Sequence, residues 1–364
     1  MQKVILTTMT VIPAAATPDA TQSTGLPAPA MPRWVPADSD SAAFRAGPVL
    51  ARRADLSVLA FEGADALGFL QGQTTIDIAG LAPDHWQLGG YCSPKGRLLA
   101  IFDCWRQGAG VGMLLPASIA PAISRRLTMF VLRSKVTIRD ATPQWRVLGI
   151  LGKGSAAALT AAGLDVPDQA GAMRELEFGE RLVRLPAGEN CPERLLLLTT
   201  AEREAHWLAA LAVLPQVGPE LWWWAQVDAA VPAIFGTTQE LFVPQALNLE
   251  VMGGVNFRKG CYPGQEVVAR SQYLGKLRRR MFLAHAASIG PGADIFQDGT
   301  TDPVGRIVMA AGAPQGGWDV LFECPTERAE GASLRAAAPM RRHWGFAPCP
   351  TRYSIPPLDL AMTP

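Results

Sequence analysis

Cys261 stands in the most distinctive stretch of the chain, Phe257-Arg258-Lys259-Gly260-Cys261-Tyr262-Pro263-Gly264-Gln265-Glu266. Gly260 and Gly264 let the backbone bend sharply on either side of the thiol. Tyr262-Pro263-Gly264-Gln265 suits a type II turn, with Pro at its second position and Gly at its third. Arg258 and Lys259 precede the cysteine closely, and nearby cations favour the thiolate, as does a helix beginning after Gly264. A thiolate is a nucleophile and a soft-metal ligand, whereas Glu266 could raise the thiol pKa or accept its proton. The alternative is a small buried hydrophobe in a structural turn.

The remaining cysteines (Cys92, Cys104, Cys191, Cys324, Cys349) are scattered without a CxxC pair, which suits a reducing, cytoplasmic setting. One thiolate cannot hold an iron–sulfur cluster, which takes about four ligands, so no resident metal is expected. The four histidines (His85, His206, His285, His343) are too dispersed for a metal site. A cysteine hydrolase would need one of them, His85 or His285, beside the sulfur.

The elements that must position the thiol follow from pattern. Leu56–Phe61, Leu98–Trp105, Val136–Ile138 and Val147–Ile150 read as strands. Ala66–Leu70, Ser118–Leu132, Ser155–Ala162 and Glu202–Val213 read as helices, with Ile119, Ile123, Leu127 and Phe130 near a 3.6-residue period. Gly72 is able to adopt the left-handed conformation after the first of these helices. From about residue 285 short apolar runs alternate with Gly, Pro and Asp, the pattern of an antiparallel β-module. The fold class expected is α+β.

The chain has 364 residues, a prior of two to three domains. Lys plus Arg is 33 against 32 Asp plus Glu, and hydrophobic residues make up 49%. That excludes an intrinsically disordered chain and argues against direct nucleic-acid binding, which an excess of cations would drive. No run reaches the ~18 apolar residues of a membrane span; Val111–Ile123 is broken by Pro116 and Pro121. Met1–Ala16 faintly imitates an export signal, but Thr7, Thr8 and Thr10 interrupt its apolar stretch, and residues 1–45 are expected to be a flexible Pro/Ala-rich extension.

The run Lys259-Gly260-Cys261-Tyr262-x-Gly264-Gln265-Glu266 resembles the signature of the YgfZ family, folate-binding proteins that support iron–sulfur enzymes and tRNA modification. These are related to the T-protein (aminomethyltransferase) of the glycine cleavage system. Phe69-Leu70-Gln71-Gly72-Gln73-Thr74-x-x-Asp77, Lys95-Gly96, Phe242-Val243-Pro244-Gln245-Ala246-x-Asn248-Leu249 and Val267-Val268-Ala269-Arg270 match in order. The likeness runs from about Ser57 to Arg280. It implies a three-domain ring around a folate channel: a discontinuous first domain (about 46–100 plus 225–284), an inserted α+β domain (about 101–224) and a C-terminal barrel-like β-module (285–364).

The resemblance also implies the site. Tetrahydrofolate or a derivative would be held by Trp222, Asp228, Gln73, Tyr262 and Arg270, with Cys261 as reactive thiol assisted by Lys259. Consecutive tryptophans cannot all face one pocket, so Trp223 at least is expected to be structural. The seven cations from Arg258 to Arg280 could attract a folate glutamate tail or form a solvated face. Where the T-protein carries paired aspartates, this chain aligns Ala100 and Ile101. Asp103 would need a bulge to take their place, and aliphatic groups cannot deprotonate an amine. The expectation is therefore an accessory protein for iron–sulfur client or assembly proteins, touching tRNA modification indirectly, rather than a conventional enzyme. A tetrahydrofolate-dependent aminomethyl or one-carbon transferase is the alternative.

Overall fold

Three antiparallel-rich sheets organise the chain in the computed structural model, which describes residues 33–273, 277–289, 294–297, 302–329 and 334–336. The first orders its strands Gln87–Cys92, Leu98–Gln107, Gly110–Pro116, Leu56–Glu62 and Thr137–Asp140. Leu56–Ala60 and all of Gly110–Pro116 are buried on both faces, so these strands read as apolar runs rather than alternating ones. Helices Ala66–Gln71 and Ala120–Thr128 cover one face through Leu70, Ile123 and Leu127. The helix expected to reach Leu132 stops at Thr128, because its buried stripe ends at Leu127 and Phe130 is exposed. Gly72 is not left-handed: its φ is −82°, and its N–H simply continues the helical bonding to Gly68.

The second sheet runs Gln216–Val217, Val49–Arg52, Trp145–Leu151, Arg194–Thr200, Arg181–Arg184 and Met173–Glu175. An expected domain junction at 100/101 therefore cuts through the strand Leu98–Gln107. Chain membership changes sheet near Ala141, where the backbone leaves Thr137–Asp140 for Trp145–Leu151. The physical reason is pairing: residues 98–140 bond to Leu56–Glu62 and its neighbours, not to the second sheet.

The third sheet orders Arg279–Ala286, Trp318–Pro325, Gly305–Gly312, Asp294–Gln297 and Leu334–Ala336. Among the described residues its outer strands, Arg279–Ala286 and Leu334–Ala336, are not paired with each other. Strand Arg33–Trp34 adds in parallel to Gly305–Gly312, and helix Asp38–Ala46 follows it. Part of the expected flexible extension is thus ordered; residues 1–32 and 337–364 lie outside the described residues.

Helix Pro219–Asp228 joins the three sheets. It is apolar nearly all round, the mark of a buried helix. Trp224 donates its indole N–H to Asp319 of the third sheet at 2.7 Å, and His285 bonds the other oxygen of that carboxylate at 2.8 Å. Trp223 donates to Asp55 at 2.6 Å and stacks on Trp34. Trp222 lies over Gly149 of the second sheet, where a Cβ would overlap the indole ring. No helix among the described residues is long and apolar enough to cross a membrane.

Candidate functional site

Two neighbouring features carry chemistry, and one hairpin positions both. Strands Gln87–Cys92 and Leu98–Gln107 meet at the turn Ser93–Arg97. That turn packs beneath the cysteine loop: Gly96 lies against Val267, and a Cβ on Gly264 would strike Ser93 and Gly96. The Tyr262–Gln265 turn forms as its sequence requires. Gly264 has φ +80°, and Gln265 N–H donates to the Tyr262 carbonyl at 3.1 Å. Helix Gln265–Tyr273 follows.

Cys261 is exposed at the tip of this loop, whereas the other described cysteines are buried. Burial pushes Cys92, Cys191 and Cys324 up to about 12, too high for thiolate chemistry at neutral pH. The environment differs from the sequence expectation in one respect. Lys259 turns inward and donates to the carbonyls of Gln71 and Thr74, the latter at 2.6 Å, with its ammonium 5.2 Å from the Tyr262 ring centroid. It ties the cysteine loop to the Gln71–Thr75 segment, and burial brings its pKa down to about 8. Asn256 completes the tie: its N–H donates to Thr75, and its side-chain oxygen accepts from the N–H of Arg258. Tyr262 is buried beneath the loop.

Along the same hairpin lies a cavity of about 400 Å³ between the first two sheets, walled on one side by helix Pro219–Asp228. Trp222 and Trp223 both line it, together with Gln226 one turn on. Trp223, expected to be structural, is bonded to Asp55 and stacked on Trp34, and its ring also edges the cavity because adjacent helical residues are only ~100° apart. The third sheet backs the helix rather than lining the cavity.

Asp103 also lines this cavity. A register shift between Tyr91 and Cys92 marks a bulge in the opposing strand, so Leu99 and Ala100 both fall in the helix-side core. One extra residue reverses the faces of everything after it. Ile101 and Asp103 therefore line the cavity, while Cys104 packs into the helix-side core and Phe102, a member of that core, also borders the cavity. This corrects the expectation that the strand brings no acid to the site. Deep desolvation pushes Asp103 up to about 7; the Trp86 indole and the Arg194 charge oppose that rise. The Trp86 N–H comes near without meeting hydrogen-bond geometry and stays unpartnered.

Two buried guanidiniums complete the wall around Trp222. Arg53 lies 4.9 Å and Arg194 5.1 Å from its ring centroid. Arg53 forms a bidentate pair with Asp55 at 2.9 and 2.8 Å, and Arg194 donates to the Pro186 carbonyl at 2.9 Å. Burial brings Arg194 down to about 10. Its Nε–H has no partner.

Asp228 is placed elsewhere. Its carboxylate accepts from the backbone N–H groups of Asn190 and Cys191 at 3.0 and 2.8 Å and from the Asn190 amide at 2.9 Å. It caps the loop before strand Arg194–Thr200 and does not line the cavity. Nor do Gln73, Tyr262, Arg270, Lys259 or Cys261. Gln73 is half-buried near the Lys259 tie, and Arg270 is exposed on helix Gln265–Tyr273. Of the expected folate-binding residues, Trp222 alone is brought to the cavity. Asp103, Arg194, Trp86 and Gln226 line the cavity and were not among the expected residues. Only Asp103 carried a signal, as a lone acid in the apolar run Leu98–Trp105. His85 lines the cavity and His285 is bonded to Asp319, so the geometry gives no support to a Cys–His pair.

Asp228→Ala is expected to lower stability by about 1–3 kcal/mol by removing the acceptor of three donors, of which the Cys191 N–H is buried, while folate affinity stays within about twofold. Urea unfolding and a folate titration check the two halves of that statement.

The fold is shared with the glycine cleavage system aminomethyltransferase T of Bartonella henselae, which superposes with a TM-score of 0.71 over 84% of this chain and 86% of its own, at 16% identity. No family model matches the chain. The protein named tRNA-modifying protein YgfZ from Yersinia pestis (strain Pestoides F) is 31% identical over 242 residues, covering 66% of this chain and 72% of that protein. Its counterpart in Vibrio vulnificus (strain CMCP6) is 29% identical over 313 residues, 83% of this chain and 91% of the relative. The chain belongs to the YgfZ family.

Proposed function

We propose that this protein binds tetrahydrofolate or a derivative in the cavity beside Trp222 and acts in the cytoplasm as an accessory factor for assembly or repair of iron–sulfur clusters in client enzymes. Its effect on tRNA modification would run through such clients. The observation that carries the reading is the cavity itself: an aromatic wall, one half-buried acid and donors left unmet. A pterin ring is flat and presents an amide-like edge of N–H groups beside a carbonyl. Trp222 offers the flat face, the Asp103 carboxyl can accept from ring N–H groups, and the free N–H groups of Trp86 and Arg194 suit the carbonyl. When bound, the folate supplies a one-carbon carrier. The protein's own part is to orient the ring and keep a titratable acid at its edge. Cys261 is the exposed nucleophile of the neighbouring loop, for transient contact with a client rather than for holding a cluster.

A second reading, a one-carbon transferase, is favoured by Asp103 in the cavity. With a pKa near neutrality it can take up and release a proton under working conditions. Tryptophan fluorescence separates these readings from no folate function at all. Titration with tetrahydrofolate is expected to quench emission saturably, with a smaller amplitude in Trp222→Phe. An unresponsive wild type would remove the folate assignment, and turnover of an aminomethyl donor would move the protein to the transferase reading.

A further inference from the structure

We propose that the loop after helix Ala120–Thr128 is a docking surface for an acidic protein partner that presents a shallow apolar pocket rimmed by carboxylates. This rests on observations separate from the folate cavity and from Cys261. Three large apolar side chains project there into solvent: Met129 is 63% exposed, Phe130 42% and Leu132 89%. Arg125, Arg133 and Lys135 are exposed around them. The sequence is one-signed well beyond this patch. From Cys104 to Arg139 there is no Asp or Glu, against Arg106, Arg125, Arg126, Arg133, Lys135 and Arg139, although the whole chain is balanced.

The loop is held rather than loose. Lys135 donates its N–H to the Asp65 carboxylate at 2.7 Å, and Asp65 returns its own N–H to the Lys135 carbonyl at 3.3 Å. Gly63, with φ +115°, lets the facing turn press against that carbonyl, where any Cβ would collide. Phe130 and Val131 N–H groups are bonded back to Leu127 and Thr128 at 2.9 and 3.1 Å. A fixed apolar knob loses little entropy on binding, so its exposure is best explained by an occupant.

Charge and chemistry choose the occupant. Met, Phe and Arg are the types enriched in protein interfaces, and an acidic rim complements the three free cations. RNA would use the cations and an aromatic platform, but it leaves Leu132 and Met129 without a role. An anionic bilayer would also attract the cations. Three side chains, however, bury less hydrocarbon than a single acyl chain, which by itself anchors only marginally. The small area fits a weak, transient encounter.

The test uses the full chain with a photo-crosslinking amino acid at position 132, and the same group at position 213 as control, since Val213 is 80% exposed in the turn before strand Gln216–Val217. The expected result is an adduct from position 132 alone with a protein of net negative charge. Binding of that purified protein should weaken about 10-fold or more in Leu132→Asp and in Arg133→Glu, and also weaken at raised salt. Both positions are solvent-exposed, so both variants should keep the wild-type melting temperature. Equal labelling from both positions, or no labelling, overturns the proposal. So does affinity indifferent to Arg133→Glu. Binding of phosphatidylglycerol vesicles or of a short RNA, lost in both variants without any position-132 protein adduct, overturns it in favour of those ligands.

Discussion

Asp103→Asn is expected to stabilise the protein at pH 8, leave it almost unchanged at pH 4, and weaken tetrahydrofolate binding about 10- to 100-fold. The first half follows from proton linkage. The ordinary carboxyl value is 3.8, and the folded protein raises Asp103 to about 7. Between those values the folded state holds a proton that the unfolded chain releases, so stability falls as pH rises through the window and stays low above it. Burying the ionised form costs about 1–4 kcal/mol, the lower figure applying because the cavity admits water. Asparagine cannot ionise and removes that cost while keeping the shape. The second half follows from chemistry: the amide loses the charge-assisted bond to ring N–H groups. Melting curves from pH 4 to pH 8 and a folate titration read the two halves independently. A difference in melting temperature that does not grow with pH would show that Asp103 carries no buried charge. An unaltered affinity would remove it from the ligand contact.

Cys261→Ser is expected to reduce the activity of cluster-dependent enzymes to that of cells lacking the protein, with stability shifted by no more than about 0.5 kcal/mol. The side chain is exposed, so its volume matters little to packing. Serine keeps the size but replaces the soft, nucleophilic sulfur with a much weaker oxygen nucleophile. Folate affinity should be unchanged, because the sulfur does not line the cavity. Complementation with the mutant gene measures the first effect. Full rescue would take the thiol out of the mechanism and leave the folate assignment standing.

Local chemistry was legible where a residue's conformation depends on its neighbours in sequence. The Pro263-Gly264 turn, the helix after it and the strands Leu56–Glu62 and Leu98–Gln107 needed only backbone preference and apolar patterning. The family was legible too, because its motifs are contiguous. What failed were statements about direction. Lys259 sits two residues from Cys261, yet its amine reaches across to Gln71 and Thr74. Asp228 was placed by its position in the chain, but the loop at Asn190 offered three donors and took the carboxylate.

The sequence by itself thus determined a bent, exposed-thiol loop, an α+β architecture and membership of a family, since all three are written in short contiguous runs. Only the tertiary structure decided which acid faces the cavity. A single bulge beside Leu99 turns Asp103 inward, and side-chain parity in a strand changes with every residue inserted. The guanidiniums of Arg53, just after strand Val49–Arg52, and of Arg194, on strand Arg194–Thr200, reach Trp222 through contacts between segments far apart in sequence. No local preference encodes such a meeting; it exists only once two sheets close on one helix.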